Sequence, residues 1–134
     1  MNSIFTKIIS GELPCYKIYE SENIFSFLAL DQINLGHCLV VPKNEVNHFF
    51  DMSEEDYNEV FMFSKKLSRV IKSITDCNRV GLAVQGFEVQ HAHIHLIPLN
   101  DPSDFSFSNG KKRSDHEMKK TQELLIAELE REEK

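Results

Sequence analysis

Apolar and polar positions along the first third of the chain predict one short helix and three strands. Residues 3–10 carry apolar side chains at helical spacing, and Gly11 follows them as a terminator. Two later segments alternate apolar and polar residues around a Ser-Glu-Asn turn, and a third is apolar throughout until Pro42. The predicted strands are residues 16–20, 24–30 and 38–41.

A long helix and a second pair of strands are predicted for the middle of the chain. The run from Ser53 to Asp56 resembles a capping box, and apolar residues then recur at helical spacing to about Thr75. Residues 79–85 are typical of a strand, and Gly86 marks a tight return to an antiparallel strand over residues 90–97.

The C-terminal part changes composition twice. Residues 100–113 are rich in Asp, Ser, Asn and Lys and predict a solvated connector, in which Phe105 and Phe107 either anchor the segment locally or contact a partner subunit. A second capping-box pattern at Ser114 starts a charged helix over residues 114–133.

The sum of these elements is an α+β fold. We expect an antiparallel sheet of about five strands, one long helix packed on it, and short helices at the N-terminus and the C-terminus. At 134 residues and 41% hydrophobic composition, the chain can bury one core, so residues 1–134 are expected to form a single domain with its core in residues 3–99.

Net charge, hydrophobicity and cysteine spacing indicate which partners and which cellular location to expect. A net charge of −6 disfavours binding to a nucleic-acid backbone, which requires a basic face, but leaves a small nucleotide possible as a ligand. No apolar run has membrane-spanning length and no secretion signal is visible, so we expect a cytoplasmic protein without a membrane partner. The three cysteines are widely spaced and are expected to be reduced.

The candidate chemistry lies in three histidines at alternate positions. In an extended strand His91, His93 and His95 would share one face, while the intervening apolar residues face the core. A purely structural strand has little reason to collect imidazoles, which repel one another when they are protonated. Two functional interpretations stay open: a metal site completed by His37 or His48, or phosphate chemistry without a metal.

The stretch from Glu88 to Pro98 resembles the signature of the histidine triad (HIT) family. Residues 4–14 and 36–43 resemble the N-terminal helix and the central strand of that family, so the resemblance covers about residues 3–99. It implies a small dimeric nucleotide-binding hydrolase that acts at the α-phosphate of nucleotide conjugates, including phosphoramidates and dinucleoside polyphosphates.

The same resemblance implies a set of site residues. His93 would be the nucleophile, His91 and His95 would orient it and contact the phosphate or the leaving group, and His37 would complete the relay. No metal and no cofactor is implied, and neither His48 nor His116 is included in the site. The residues expected to bind substrate are Asp31 at the ribose, Ile4, Phe5 and Ile8 as an apolar wall beside the base or as simple core, and Gln85 and Glu88 near the phosphate.

Three positions depart from the family pattern: Phe87, Glu88 and Leu99 stand where a glutamine, a small hydroxyl residue and an arginine are common. A carboxylate at Glu88 would repel phosphate unless it turns outward or selects a basic leaving group.

The leading functional hypothesis is hydrolysis of a nucleotide conjugate, such as a purine nucleoside phosphoramidate, through a nucleotidyl-histidine intermediate. The alternatives are a dinucleoside polyphosphate hydrolase, a nucleotide-responsive interaction protein with vestigial turnover, and a metal-dependent hydrolase. A homodimer is also expected, because Tyr57, Phe61 and Phe63 give the long helix more aromatic surface than one sheet face needs.

Overall fold

A computed structural model describes residues 2–133 and confirms the α+β prediction. Five antiparallel strands form one sheet in the spatial order β1-β2-β3-β5-β4. The strands are β1 (Lys17–Glu20), β2 (Ile24–Leu28), β3 (Cys38–Pro42), β4 (Arg79–Ala83) and β5 (Ile94–Leu99), and the helices are α1 (Ile4–Ile9), α2 (Glu54–Thr75) and α3 (Asp115–Glu132). Because α3 is 18 residues long, the expectation of short terminal helices holds only for α1.

Both faces of the central strands are covered, which explains their continuous apolar sequence. Helices α2 and α3 pack on one face over the main core, which includes Leu28, Val40 and Ile94. Helix α1 closes part of the opposite face with a smaller cluster that includes Phe5, Phe27 and Leu39. Strands β2 and β3 are therefore buried at every position, and alternating side chains enter the two clusters.

The N-termini of the two long helices are capped by serines. The Ser114 side chain and Glu117 form the complete capping box that the sequence predicts. At Ser53 only half of the box is present, because Asp56 donates its backbone N–H to the serine while its side chain accepts from Asn44 instead.

The predicted histidine strand is wrong in its extent. Strand β5 begins at Ile94, and residues 84–93 form a long loop rather than a tight return. The backbone N–H of Ala92 donates to Val46 O, at 2.7 Å, and is therefore unavailable to pair with β4. Alternation of the faces nevertheless persists, since Ala92, Ile94 and Leu96 all lie in the main core.

Smaller boundary errors have similar causes. Pro42 is the last residue of β3 and pairs with Ile24, so this strand is one residue longer than predicted, and β2 ends at Leu28 rather than at residue 30. Pro42 has no N–H, so it can occupy the last position of a strand without breaking the pairing.

Much of the aromatic surface expected on α2 is used within the chain. Phe63 is buried and stacks on Tyr19 with ring centroids 4.2 Å apart, while Tyr57 and Phe61 pack around Phe49. The argument for a dimer from these three aromatic residues is therefore weaker than the sequence suggests.

The connector crosses back over the sheet and is pinned to it. Gln32 and Lys111 exchange two backbone hydrogen bonds, of 2.9 and 3.0 Å. Asp104 accepts from the backbone of Asn100 and from the side chain of Asn34. These bonds hold the turn Phe107–Asn109 beside the end of the sheet at which the histidines lie.

Within residues 2–133, no helix combines the length and the apolar composition needed to cross a membrane.

Candidate active site

A cavity of about 220 Å³ lies between α1, the start of β3, the loop before β5 and the connector. It brings together nine of the ten residues that the sequence analysis assigns to the site. They are Ile4, Phe5, Ile8, Asp31, His37, Gln85, Glu88, His93 and His95. The tenth, His91, is fully buried and lies behind the cavity wall against Phe5.

The geometry of His93 fixes which ring nitrogen can react. Its Nδ1 lies 2.7 Å from the carbonyl oxygen of His91, and because a carbonyl only accepts, Nδ1 must carry the proton. Burial lowers the pKa of His93 below its usual value, so the ring is neutral near pH 7. A neutral ring protonated at Nδ1 has its lone pair on Nε2, the arrangement of a nitrogen nucleophile.

His37 and His95 form a second ordered chain of hydrogen bonds. The backbone N–H of Ile33 donates to Nδ1 of His37, so His37 carries its proton on Nε2 and donates it to Nδ1 of His95, at 3.0 Å. The proton of His95 must then be on Nε2, which is buried and has no hydrogen-bond partner in the described chain. This N–H is free for a ligand in the cavity.

Burial keeps this pair neutral. Removal from water lowers the pKa of His37 to about 4, and burial together with the neighbouring histidines lowers that of His95 to about 3. At neutral pH His95 is therefore a hydrogen-bond donor without a formal charge.

His91 is held from both sides and supports the nucleophile through its backbone. Its Nε2 donates to Pro42 O at 2.8 Å, and its Nδ1 lies 2.6 Å from Oγ of Ser3, the N-cap of α1. Glu45 accepts from the Ser3 backbone and from Oγ1 of Thr6. These bonds tie the start of α1 to His91, whose carbonyl orients His93.

Sequence reasoning missed Gln32, which is fully buried and organises the turn before β3. Its Nε2 donates to the carbonyls of Ala29 and His37, while its Oε1 accepts from the backbone of Gly36 and His37. A glutamine five residues before the fourth histidine was the available signal, but a single polar residue in an apolar stretch does not by itself indicate a network.

Phe107 was expected either to anchor the connector or to contact a partner subunit, and it is part of the cavity wall. Its ring meets His95 edge to face, with centroids 4.7 Å apart, and it is 40% exposed. The alternative of a contact with a partner subunit is not required to explain the position of this ring.

The charges around the cavity are carboxylates. Asp31 and Glu88 are exposed at its rim, and among residues 2–133 no lysine or arginine lines it. Gln85 is half-buried and contributes a neutral amide.

The histidines left out of the site by sequence reasoning lie on the surface. His48 precedes a 3-10 turn and makes no capping bond there, and His116 is exposed in the first turn of α3. In the part of the chain that the structure describes, no three His, Cys, Asp or Glu side chains are arranged to hold a metal ion.

Comparisons with known proteins agree with this arrangement. A family model described as the HIT domain matches residues 10–101. An uncharacterized HIT-like protein of Borreliella burgdorferi is 34% identical in an alignment of 130 residues that covers 92% of this chain and 93% of that protein. An adenosine 5′-monophosphoramidase of Schizosaccharomyces pombe is 31% identical over 100 residues, covering 73% of this chain and 74% of the relative.

The fold is likewise shared with solved structures. A hypothetical histidine triad nucleotide-binding protein from Sulfolobus tokodaii superimposes with a TM-score of 0.81 at 27% identity, covering 96% of this chain and 92% of that one. Because the family model matches residues 10–101, which contain His37 and all three alternating histidines, and because solved relatives share the fold, the chain belongs to the histidine triad (HIT) family.

Proposed function

We propose that this protein is a nucleotide-binding hydrolase that cleaves nucleotide conjugates at the α-phosphate through a nucleotidyl intermediate on His93. The observation that carries the proposal is the 2.7 Å hydrogen bond from His93 Nδ1 to His91 O, which leaves the Nε2 lone pair for attack on phosphorus. The His95 N–H without a partner in the same cavity supplies a donor for a phosphoryl oxygen or for the leaving atom.

The cavity walls suggest how a nucleoside would bind. Ile4, Phe5 and Ile8 give one end an apolar surface for a base, and Asp31 at the rim can accept from ribose hydroxyls. Phe5 also packs on His93, with ring centroids 4.9 Å apart, so the wall for the base and the nucleophile are in direct contact.

The chemistry proceeds in two displacements. First, His93 Nε2 forms a bond to the α-phosphorus while the bond to the leaving group breaks, and the leaving group departs with the electron pair and one proton taken up from solvent. Water then attacks the same phosphorus, the N–P bond breaks, and its electron pair returns to Nε2. One proton of the water is released, which balances the proton taken up in the first step.

Relatives favour a phosphoramidate as the substrate. The relative from Schizosaccharomyces pombe is named as an adenosine 5′-monophosphoramidase, and the solved relative from Sulfolobus tokodaii is named as nucleotide-binding. Dinucleoside polyphosphates are the second substrate class of the proposal. An interaction protein with vestigial turnover is less well supported, because binding alone does not require an ordered pair of neutral histidines facing one cavity.

The test is release of AMP from adenosine phosphoramidate, with a chelator present, by wild type, His93→Ala and a His48→Ala control. We expect the His93 variant to lose at least about a thousandfold in kcat while still binding AMP, and the surface variant to keep wild-type rates. Quenching during turnover with alkaline detergent, in which the acid-labile N–P bond survives, should trap labelled nucleotide on wild type and His48→Ala but not on His93→Ala. Binding of nucleotide without turnover by wild type would instead support the interaction protein, and loss of activity to the chelator would support a metal-dependent enzyme.

We also propose that the protein is a cytoplasmic homodimer and that its ligand is a small nucleotide. The proposal includes neither a nucleic acid nor a membrane as partner. β4 lies at an edge of the sheet within the described chain, and Leu82 on it is exposed beside a groove that also contains Phe61 and Val80. Such an apolar edge is suited to pairing with a second copy.

A further inference from the structure

Within residues 2–133, the two charged side chains that line the cavity are both negative. Asp31 and Glu88 line it, and no lysine or arginine of residues 2–133 does so. The basic run Lys111–Arg113 belongs to the adjoining connector, but its side chains do not line the cavity. A substrate therefore meets fixed negative charge and no fixed positive charge.

Glu88 lines the same cavity as the nucleophile, His93. Its carboxylate is close enough to His93 to oppose, in part, the lowering of the pKa of that imidazole by burial. The phosphorus must come within bonding distance of the same imidazole, so Glu88 also acts on whatever is attached to that phosphorus. Further phosphates on the leaving group would be repelled, because like charges at close range disfavour binding.

The cavity wall beside His95 is aromatic. Phe107 lies against His95, which also lines the cavity, and the buried Nε2–H of His95 has no hydrogen-bond partner within residues 2–133. A leaving group that bonds to this donor lies beside Phe107, which is 40% exposed and lines the same cavity, and an aromatic ring attracts a cation to its face. A carboxylate and an aromatic face together favour a positively charged group.

We propose that Glu88 and Phe107 select the leaving group, and that the preferred substrates are nucleoside phosphoramidates whose departing amine carries a second, positively charged group. This selection rests on the proposed function, and it separates amine conjugates from dinucleoside polyphosphates. Phe107 and Glu88 are specificity-determining residues, whereas His93 forms the bond to the α-phosphorus.

The experiment uses AMP phosphoramidates of three amines of equal length: cadaverine, with a terminal ammonium, pentylamine, which is neutral, and δ-aminovalerate, with a terminal carboxylate. Diadenosine tetraphosphate is a fourth substrate. For wild type, kcat/KM should fall in the order ammonium, neutral, carboxylate, by about three- to tenfold at each step, with the polyphosphate poorest.

Three variants locate the origin of this order. Glu88→Gln keeps the side-chain size but removes the charge, so the ratio between the ammonium and carboxylate conjugates should shrink by about threefold or more. Phe107→Leu keeps an apolar wall without an aromatic face and should reduce the preference of ammonium over neutral. Glu22→Gln, an exposed change in the turn between β1 and β2, is the matched control and should leave every ratio unchanged.

The outcomes separate this inference from the proposed function. Turnover of all four substrates with equal kcat/KM, or a Glu88→Gln variant with the wild-type ratio, would overturn the selection by charge and leave the hydrolase standing. If wild type hydrolyses none of the substrates, the proposed function fails and the inference fails with it.

Discussion

At the scale of single residues, the site depends on the direction of hydrogen bonds more than on the count of histidines. His91, His93 and His95 have the same side chain, yet their hydrogen-bond partners put the ring proton on Nδ1 of His93 and on Nε2 of the other two. The pattern of alternate histidines predicts that three rings are together. It does not predict that His91 is a buried support while His93 and His95 face the cavity.

Ser3→Ala tests the support for His91. Loss of the hydroxyl leaves Nδ1 of a buried imidazole without its donor, and we expect kcat to fall on the order of tenfold, with a larger loss at pH 6 than at pH 8 because the neutral ring is no longer favoured. The measurement is the pH profile of AMP release.

The change also removes the N-cap of α1, so two further variants are needed as controls. Ser3→Thr keeps a hydroxyl and should restore the profile, and Ser53→Ala removes a remote cap and should reduce stability alone. An unaltered profile in Ser3→Ala would show that His91 does not depend on this contact.

At the scale of elements, the turns that bring in His37 and the histidine loop need glycine for different reasons. Gly36 has a φ of 111°, and a Cβ placed there would lie 2.9 Å from Thr75 Cγ2 and 3.3 Å from Pro98 Cγ. Gly86 has a φ of 77°, but a Cβ there would meet nothing within 4 Å. Gly36 is required because its φ is positive and because a side chain would collide with its neighbours. Gly86 is required only because its φ is positive.

We therefore expect Gly36→Ala to lower the free energy of unfolding by about 2–4 kcal/mol and Gly86→Ala by about 1 kcal/mol. Denaturant unfolding of both variants gives the comparison. An equal decrease in the free energy of unfolding for both variants would mean that α2 and β5 move apart around residue 36 without an energetic cost.

At the scale of the whole molecule, burial of neutral histidines links stability to pH. The pKa values of His37 and His95, at about 4 and about 3, lie below the ordinary 6.5 of the unfolded chain, so below pH 6.5 the unfolded state binds more protons. Stability is therefore unaffected by this pair above pH 6.5 and falls as the pH drops below that value. The carboxylates with lowered pKa values, such as Glu45, contribute only nearer their own ordinary range.

Between pH 7 and pH 5 the free energy of unfolding should decrease by about 2–4 kcal/mol. His37→Gln should reduce this pH dependence, whereas His48→Gln, a change at an exposed histidine, should keep it. Urea titrations at pH 7, 6 and 5 make the measurement, and a flat profile for the wild type would contradict the burial of neutral rings.

Assembly is the other property of the whole molecule. If two copies pair at the β4 edge, Leu82→Lys should place a charge in the interface and give a monomer at micromolar concentration, with little change in the fold of each chain. Sedimentation of the wild type and this variant distinguishes the two states. Leu124→Lys, at an exposed apolar position on α3, is the matched control, and a monomeric wild type would end the dimer proposal.

The amino-acid sequence by itself determined the order and type of the elements and the candidate site residues, nine of which line one cavity. These features depend on local rules: periodicity predicts α2, serine caps begin α2 and α3, and alternation puts Ala92 and Ile94 in the core opposite the histidine rings. The resemblance to the family adds His37 as a candidate, because the segment 36–43 around it resembles the central strand of that family.

Tertiary structure decided where β5 begins, which ring nitrogens carry protons, and what surrounds them. The carbonyl of Val46 accepts a hydrogen bond from the backbone N–H of Ala92. Ser3 contacts His91, which lies 88 positions later in the chain. The ring of Phe107, in the connector, packs against His95. Contacts between segments that are distant in sequence produce no periodic pattern in the sequence. Which nitrogen of a histidine donates and which accepts is fixed only when the hydrogen-bond partners of that ring are in place.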